Sequence, residues 1–427
     1  MPIQPYATPS ATKSATPPTT PPTTPPATGP LAGIRVIDLT SVVLGPLATQ
    51  ILGDYGADVI KVESLEGDLM RSNGVSLHAG MGSIFLAINR NKRSVAVDLK
   101  SDAGRQAVQQ LIQGADVLVH NMRVAAIERL GLGYDAVSAI NPKIVYVEAT
   151  GYGQEGPDAH RPAFDDVIQA ACGIASLIGN GRDQPDFAPT LMADKTTGLA
   201  VVNAVLAALL HRERKGQGQY VEVPMLETMV SFMLTEHLGG LSFDPAPTKA
   251  GYARLLQGGR KPAPTRDGFV TLLPYSGEHW VGLFEAAGRP DLISKYQLHN
   301  RQERNARVVD LYADLASVTK LMSSDDLLAL CNRLDMAASR IYGIDELPSH
   351  PHLQAVGLFQ PLDHPSEGAT ITVRPPTRFA MTPASVRFGA PLLGQHTREV
   401  LAEVGLDAAT LDRLLADKVI HQSAAAG

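Results

Sequence analysis

Cysteine is almost absent from this 427-residue chain: Cys172 and Cys331 stand far apart, outside any Cys-x-x-Cys or Cys/His spacing. Two isolated thiols exclude a disulfide framework and give no structural zinc site, so no metal is expected and a reducing cytoplasm fits best. Positive charge is not in excess either. Lys and Arg number 37 against 43 Asp and Glu, a formal charge of −6, which argues against nonspecific nucleic-acid binding. The longest apolar-rich run, Gly198 to Leu210, falls short of the roughly 20 residues that span a bilayer and is interrupted by Asn203, so no membrane span is expected. The N-terminus lacks the basic start and apolar stretch of a secretory signal. Common catalytic signatures are missing as well: there is no Walker A sequence, no Gly-x-Gly-x-x-Gly after the first strand, no Gly-x-Ser-x-Gly elbow and no His-Glu-x-x-His.

What is present begins with a tail. Residues 7 to 29 are almost all Pro, Thr, Ser and Ala, too little apolar surface to offset the entropy of ordering, so residues 1–29 read as a disordered tail. From Pro30 the pattern becomes β-branched runs alternating with helical segments. Ile34 to Leu39, Asp58 to Val62, Ser94 to Leu99, Asp116 to Val119 and Ile144 to Val147 read as strands, and Pro46 to Tyr55 as a helix. Ser101 caps a helix with Ala103, Ala107, Val108, Leu111 and Ile112 on one face and Gly114 as its stop. Strands separated by helices predict an α/β fold whose large domain, 30–225, is an open parallel sheet covered on both faces. A mostly buried helix is expected over Thr196 to Arg214. Residues 226–347, with a hairpin around Thr265-Arg266-Asp267-Gly268 and helices near His279 and Ser324, read as a second, smaller α+β domain. Residues 348–427 return to the first domain through a helical stretch from Gln395 to Leu415.

The polar residues at predicted strand ends are the candidates for chemistry, since open α/β sheets bind ligands there. Asp194 precedes the long helix, where the positive end of the dipole favours an ionised carboxylate, a competent covalent nucleophile; a plain helix cap explains it equally simply. Asp165 and Asp166 open another helix and read either as capping acids or as part of a site. The run Asn89 to Ser94, together with Asn121-Met122-Arg123 and Arg129, suits phosphate oxygens or is a solvated charged face. Gly258-Gly259 is a plain turn or a pair of backbone donors.

Several longer stretches carry a resemblance. Residues 31–40, Gly45-Pro46, residues 52–63, Asn91 to Ser94, residues 151–157 and Lys215 to Gln219 are similar to the class III CoA-transferases, the family of formyl-CoA and carnitine CoA-transferases and α-methylacyl-CoA racemase. The resemblance is strong from Pro30 to Thr228 and looser beyond. It implies a Rossmann-like large domain, an interlocked homodimer, acyl-CoA and carboxylic acid substrates, and no tightly bound cofactor beyond coenzyme A as substrate. It assigns the nucleophile to Asp194, oxyanion donors to Gly258 and Gly259, CoA contacts to Val42, Asn121, Met122, Ala126, Arg129 and Met225, and the substrate pocket to Val43, Phe164 and Asp165. The racemase branch needs a histidine where this chain has Phe164, which cannot transfer a proton. Transfer is therefore the expected activity, with racemisation or noncatalytic CoA binding as the alternatives. Val43 and Ser64 replace a glutamine and an arginine of the formyl-CoA branch, which argues against oxalate as acceptor. The sequence names neither donor nor acceptor acid.

Overall fold

The computed structural model describes residues 28–179, 184–256 and 261–423. Six parallel strands form the main sheet: β1 (Arg35–Leu39), β2 (Asp58–Glu63), β3 (Lys92–Val97), β4 (Val117–His120), β5 (Val145–Thr150) and β6 (Gln219–Pro224). Their order across the sheet is β3-β2-β1-β4-β5-β6, with the C-terminal strand Ile420–His421 added antiparallel at the outer edge of β3. That order reverses direction between β1 and β4, where Leu39 pairs with His120. In doubly wound sheets a crevice opens at this switch point, outside the carboxyl ends of the strands.

Side-chain alternation explains why both faces are covered. Along β4, Val117 and Val119 enter one core together with Val36, Val145, Val147, helix α1 (Leu44–Asp54) and the long helix Met192–Lys215. Leu118 points the other way, into a core with Ile37, Ile60, Val95, the helix Asp102–Gln113 and, from the chain's far end, Val400, Leu401, Leu411 and Leu414. Each such buried aliphatic side chain contributes about 1.5–3 kcal/mol by leaving water. A separate hydrophobic cluster gathers Ala263, Val270, Trp280, Phe284, Leu311, Leu327 and Met336, over a small antiparallel sheet of Ala263–Thr265, Gly268–Leu272 and Ala338–Arg340. The expected hairpin is its first turn, Thr265 pairing with Gly268. The helix Met225–His237 packs Met225 and Met229 into the main core.

Three sequence expectations need correcting. The third strand runs two residues earlier than read, because Lys92 is a fully buried part of it. β6 was not anticipated; its short Gln-Tyr-Val-Glu-Val-Pro alternation follows directly on the Gly216–Gly218 turn. The long helix begins at Met192, not Thr196, so Asp194 lies inside its first turn and is not its cap. This helix is, by length and composition, the one helix among the described residues able to cross a membrane, but half of its apolar stretch is buried within the fold.

Candidate active site

The loop after β1 borders the crevice, and side chains from three other places fix its backbone. Asp38 Oδ1 accepts from Thr40 N–H at 2.9 Å. Asn121, just past β4, accepts from Ser41 N–H at 2.9 Å and donates to the Ser41 carbonyl at 2.8 Å. Asp68 accepts from Val42 N–H at 3.2 Å. Val42 itself has φ +70°, a left-handed conformation that costs a β-branched residue of order 1–3 kcal/mol and persists only where its surroundings over-determine it.

Beneath the loop lies a fully buried ionic network. Lys92 Nζ donates to Asp38, to the Pro46 carbonyl and to Asn89, at 3.0, 2.8 and 2.8 Å. Lys61 Nζ donates to the Thr40 carbonyl and to Asp68, each at 2.9 Å. Burial alone would raise Asp38, but Lys92, Lys61 and the hydroxyls of Thr40 and Thr49 hold it below the usual carboxylate range. For Lys92 burial wins over Asp38, lowering it to about 8.

Asp194 sits in a different environment. Leu191 occupies the cap position of its helix and offers no side-chain acceptor. Asp165 supplies one from another helix, Asp165–Ala171: its Oδ1 accepts from Asp194 N–H at 2.9 Å, and its Oδ2 from Gln169 Nε2 at 2.6 Å. Gln169 in turn accepts from Ala188 N–H at 2.9 Å, tying down the segment that leads into the long helix. Asp165 thus performs an N-cap's task from a distance. The Asp194 carboxyl is mostly buried, and that burial, followed by the charges of Asp165 and Asp166, pushes it up to about 7. The helix dipole, expected to favour the ionised form, is outweighed here by desolvation and two neighbouring acids.

One cavity of about 560 Å³ joins these parts. Its wall includes Val42, Val43, Asn121, Met122, Ala126, Arg129, Phe164, Asp194 and Met225, nine of the residues singled out from sequence. Asp165 stands behind the wall, buried against Asp194. Gly258 and Gly259 lie outside the described residues. The amide of Asn121 is engaged with Ser41, so its first task is to hold the loop.

The basic run at 89–93 is corrected outright, because its cations are spent inside the fold. Arg90 pairs with Asp54 at 2.7 Å, Lys92 with Asp38, and Arg93 with Asp58 and Glu403 at 2.7 and 2.5 Å. The cavity instead has Arg123, Arg129, His160 and Arg161, of which only Arg161 makes an ion pair among the described residues, at 3.1 Å with the partly exposed Asp158. His160 and Arg161 line the cavity although the sequence reading gave neither a binding role; their signal was position, two basic side chains shortly before the Phe164-Asp165 segment. Asp194 is the only carboxylate in this lining among the described residues. A neighbouring cavity of about 400 Å³ shares Val124 but is lined by Glu128, Asp135 and Glu148, the wrong charge for phosphates. Among the described residues no group of three or more His, Cys, Asp or Glu is placed to hold a metal ion.

Comparison with known proteins places this geometry in context. A family model described as CoA-transferase family III matches residues 31–397. The succinate–glutarate CoA-transferase of Agrobacterium fabrum is 32% identical over 386 residues, 88% of this chain and 95% of that protein. The succinyl-CoA:mesaconate CoA-transferase of Haloarcula marismortui is 33% identical over 391 residues, 89% and 98% of the two chains. A crystal structure of a CaiB/BaiF family protein from Brucella suis superposes with a TM-score of 0.76 at 30% identity, covering 88% of this chain and all of that one.

Proposed function

The chain belongs to CoA-transferase family III and is an enzyme of that class; from that premise we propose that it moves coenzyme A from an acyl-CoA donor to a free carboxylic acid through covalent attachment at Asp194. The observation that carries the reading is the single buried carboxylate, Asp194, in a cavity that also carries Arg123, Arg129, Arg161 and His160. Arginine forks suit the phosphates of coenzyme A, and a carboxyl near pH 7 is present as a carboxylate in a large fraction of molecules at neutral pH.

The steps balance without any further reagent. The Asp194 carboxylate attacks the donor thioester carbon, the C–S bond breaks, and a mixed anhydride forms as CoA leaves as thiolate. The thiolate attacks the Asp194 carbonyl carbon and releases the donor acid, leaving an aspartyl-CoA thioester. The acceptor carboxylate attacks that carbon and expels the thiolate. The thiolate then takes the acceptor's acyl carbon and frees Asp194. Covalent catalysis here divides one difficult exchange into four acyl transfers. Backbone N–H groups of Gly258 and Gly259 are assigned to the tetrahedral oxyanions, a role whose removal typically costs about 3 kcal/mol.

Two further parts belong to this proposal. The succinyl-CoA relatives favour a short-chain dicarboxylic donor. An interlocked homodimer accounts for the apolar residues exposed on one chain, such as Leu199, Leu210, Phe232 and Phe243. Racemisation is disfavoured by Phe164, which lines the cavity where a base would be needed. The deciding experiment incubates the protein with succinyl-CoA and hydroxylamine or borohydride and maps the modified peptide. Label on Asp194 is expected; label on Asp165 or Asp166 would sink the assignment.

A further inference from the structure

We propose that Asp68, which forms no part of the cavity wall, is a positioning residue for coenzyme binding, because it imposes on Val42 the left-handed backbone that glycine usually supplies in the first strand-to-helix loop of a doubly wound sheet. That loop contains no glycine between Leu39 and Gly45. In nucleotide-binding sheets of this order the first glycine of the loop makes the tight turn, and here a valine makes it at φ +70°.

The strain is balanced by an anchor that solvent cannot reach. Asp68 Oδ1 accepts from Val42 N–H at 3.2 Å and from Met70 N–H at 2.9 Å. Its Oδ2 meets Lys61 Nζ at 2.9 Å, the two side chains being 1% and 0% exposed. Lys61 also donates to the Thr40 carbonyl, so this one ion pair grips the loop at both ends. The Asp68 N–H is held by Glu63 Oε2 at 3.1 Å, and Glu63 closes β2 with Arg71 at 2.7 Å. The turn is thus referred to the sheet itself. Its consequence is the placement of Val42, Val43 and Leu44 in the cavity wall, at the start of α1, where N–H groups without intrahelical partners suit an anionic ligand.

The proposal rests on the coenzyme A reading of the cavity, and its test separates the two. Calorimetry gives the CoA affinity of the wild type, Asp68→Ala, Val42→Gly and the double variant, while deuterium uptake is followed across residues 39–44 and, as a folding control, across β4 and β5. Asp68→Ala is expected to weaken CoA at least about tenfold, with faster exchange confined to the loop and the 68–72 turn. Because glycine adopts φ near +70° without strain, the same change made alongside Val42→Gly should cost about threefold or less, a non-additivity that general destabilisation would not produce. Asp68→Asn, which keeps an acceptor for the Val42 N–H, should fall between. If Asp68→Ala does not fold, Lys61→Met with Asp68→Ala leaves no unpaired buried charge and carries the same comparison. Equal losses with and without Val42→Gly would overturn the positioning role, as would unchanged CoA affinity in a loop that exchanges faster. A wild-type protein that binds no CoA overturns the coenzyme reading and this role together.

Discussion

Asp38 and Asp194 are both buried beside the same crevice, one at the end of β1 and the other in the first turn of the long helix, yet their surroundings do opposite things to them. Asp38 is fully enclosed, and two lysines and two hydroxyls make its charge obligatory. Asp194 has no ion pair among the described residues and faces two other acids, so its charge is expensive and its carboxyl lies at about 7. Depth of burial does not separate an acid held in its charged form from one whose charge is disfavoured here. The sign of the neighbouring charges does.

The comparison breaks most sharply by removing each charge in turn. Asp194→Asn should fold normally and lose CoA transfer by several orders of magnitude in a steady-state assay, since an amide does not attack a thioester as a carboxylate does. Near-normal turnover in that variant would end the distinction. Asp38→Asn should act on stability: Lys92 loses its only carboxylate partner and Lys61 a second one, and breaking a buried pair costs about 3–5 kcal/mol. Denaturant titration reads that loss directly, and a change below about 1 kcal/mol would show that the lysines can find other partners.

Titration sharpens the contrast further. The folded-state value for Asp194 lies above the ordinary aspartate value of 3.8, so the folded chain holds an extra proton between there and about 7, and this group's stabilisation is lost as pH rises through that window. Asp194→Asn should therefore be more stable than the wild type at pH 8, by up to ~4 kcal/mol, with the advantage shrinking as pH falls toward 4. Melting curves at several pH values check this. In the wild type kcat/KM should climb through about pH 7 as the carboxylate forms. The smallest effect is expected for Asp165→Asn, which keeps an acceptor for the Asp194 N–H but removes a charge beside it. The midpoint of that pH profile should move to lower pH, and the residual rate should far exceed that of Asp194→Asn. An unmoved midpoint would mean that the Asp165 charge does not contribute to the Asp194 value.

Much of the sheet was legible because β1 to β5 are Val/Ile-rich runs buried on both faces, a pattern that needs no tertiary knowledge. The helix after β3 was legible to its cap, since Ser101 accepts from Gly104 N–H locally, at 3.0 Å. The start of the long helix was not, because its cap comes from Asp165, in another helix, and nothing near Leu191 announces it. The basic run misled for the same reason: the acids that consume it, Asp38, Asp54, Asp58 and Glu403, belong to other strands, to α1 and to the far end of the chain. Adjacency in sequence found the candidate nucleophile. Only the folded arrangement decided which cations share its cavity.

The antiparallel strand at the edge of β3 bears on how the molecule is made. Ile420 and His421 pair with Val97 and Ala96, so the main sheet gains this strand only after every residue between β3 and residue 420 has been made. During translation β3 waits with an open, hydrogen-bond-hungry edge while every residue between them emerges, and an exposed edge of that kind is a template for pairing with the wrong chain. A chain truncated before residue 420 would retain the crevice residues and the crevice's order of strands, with the longer β3 left as the exposed outer strand of the sheet.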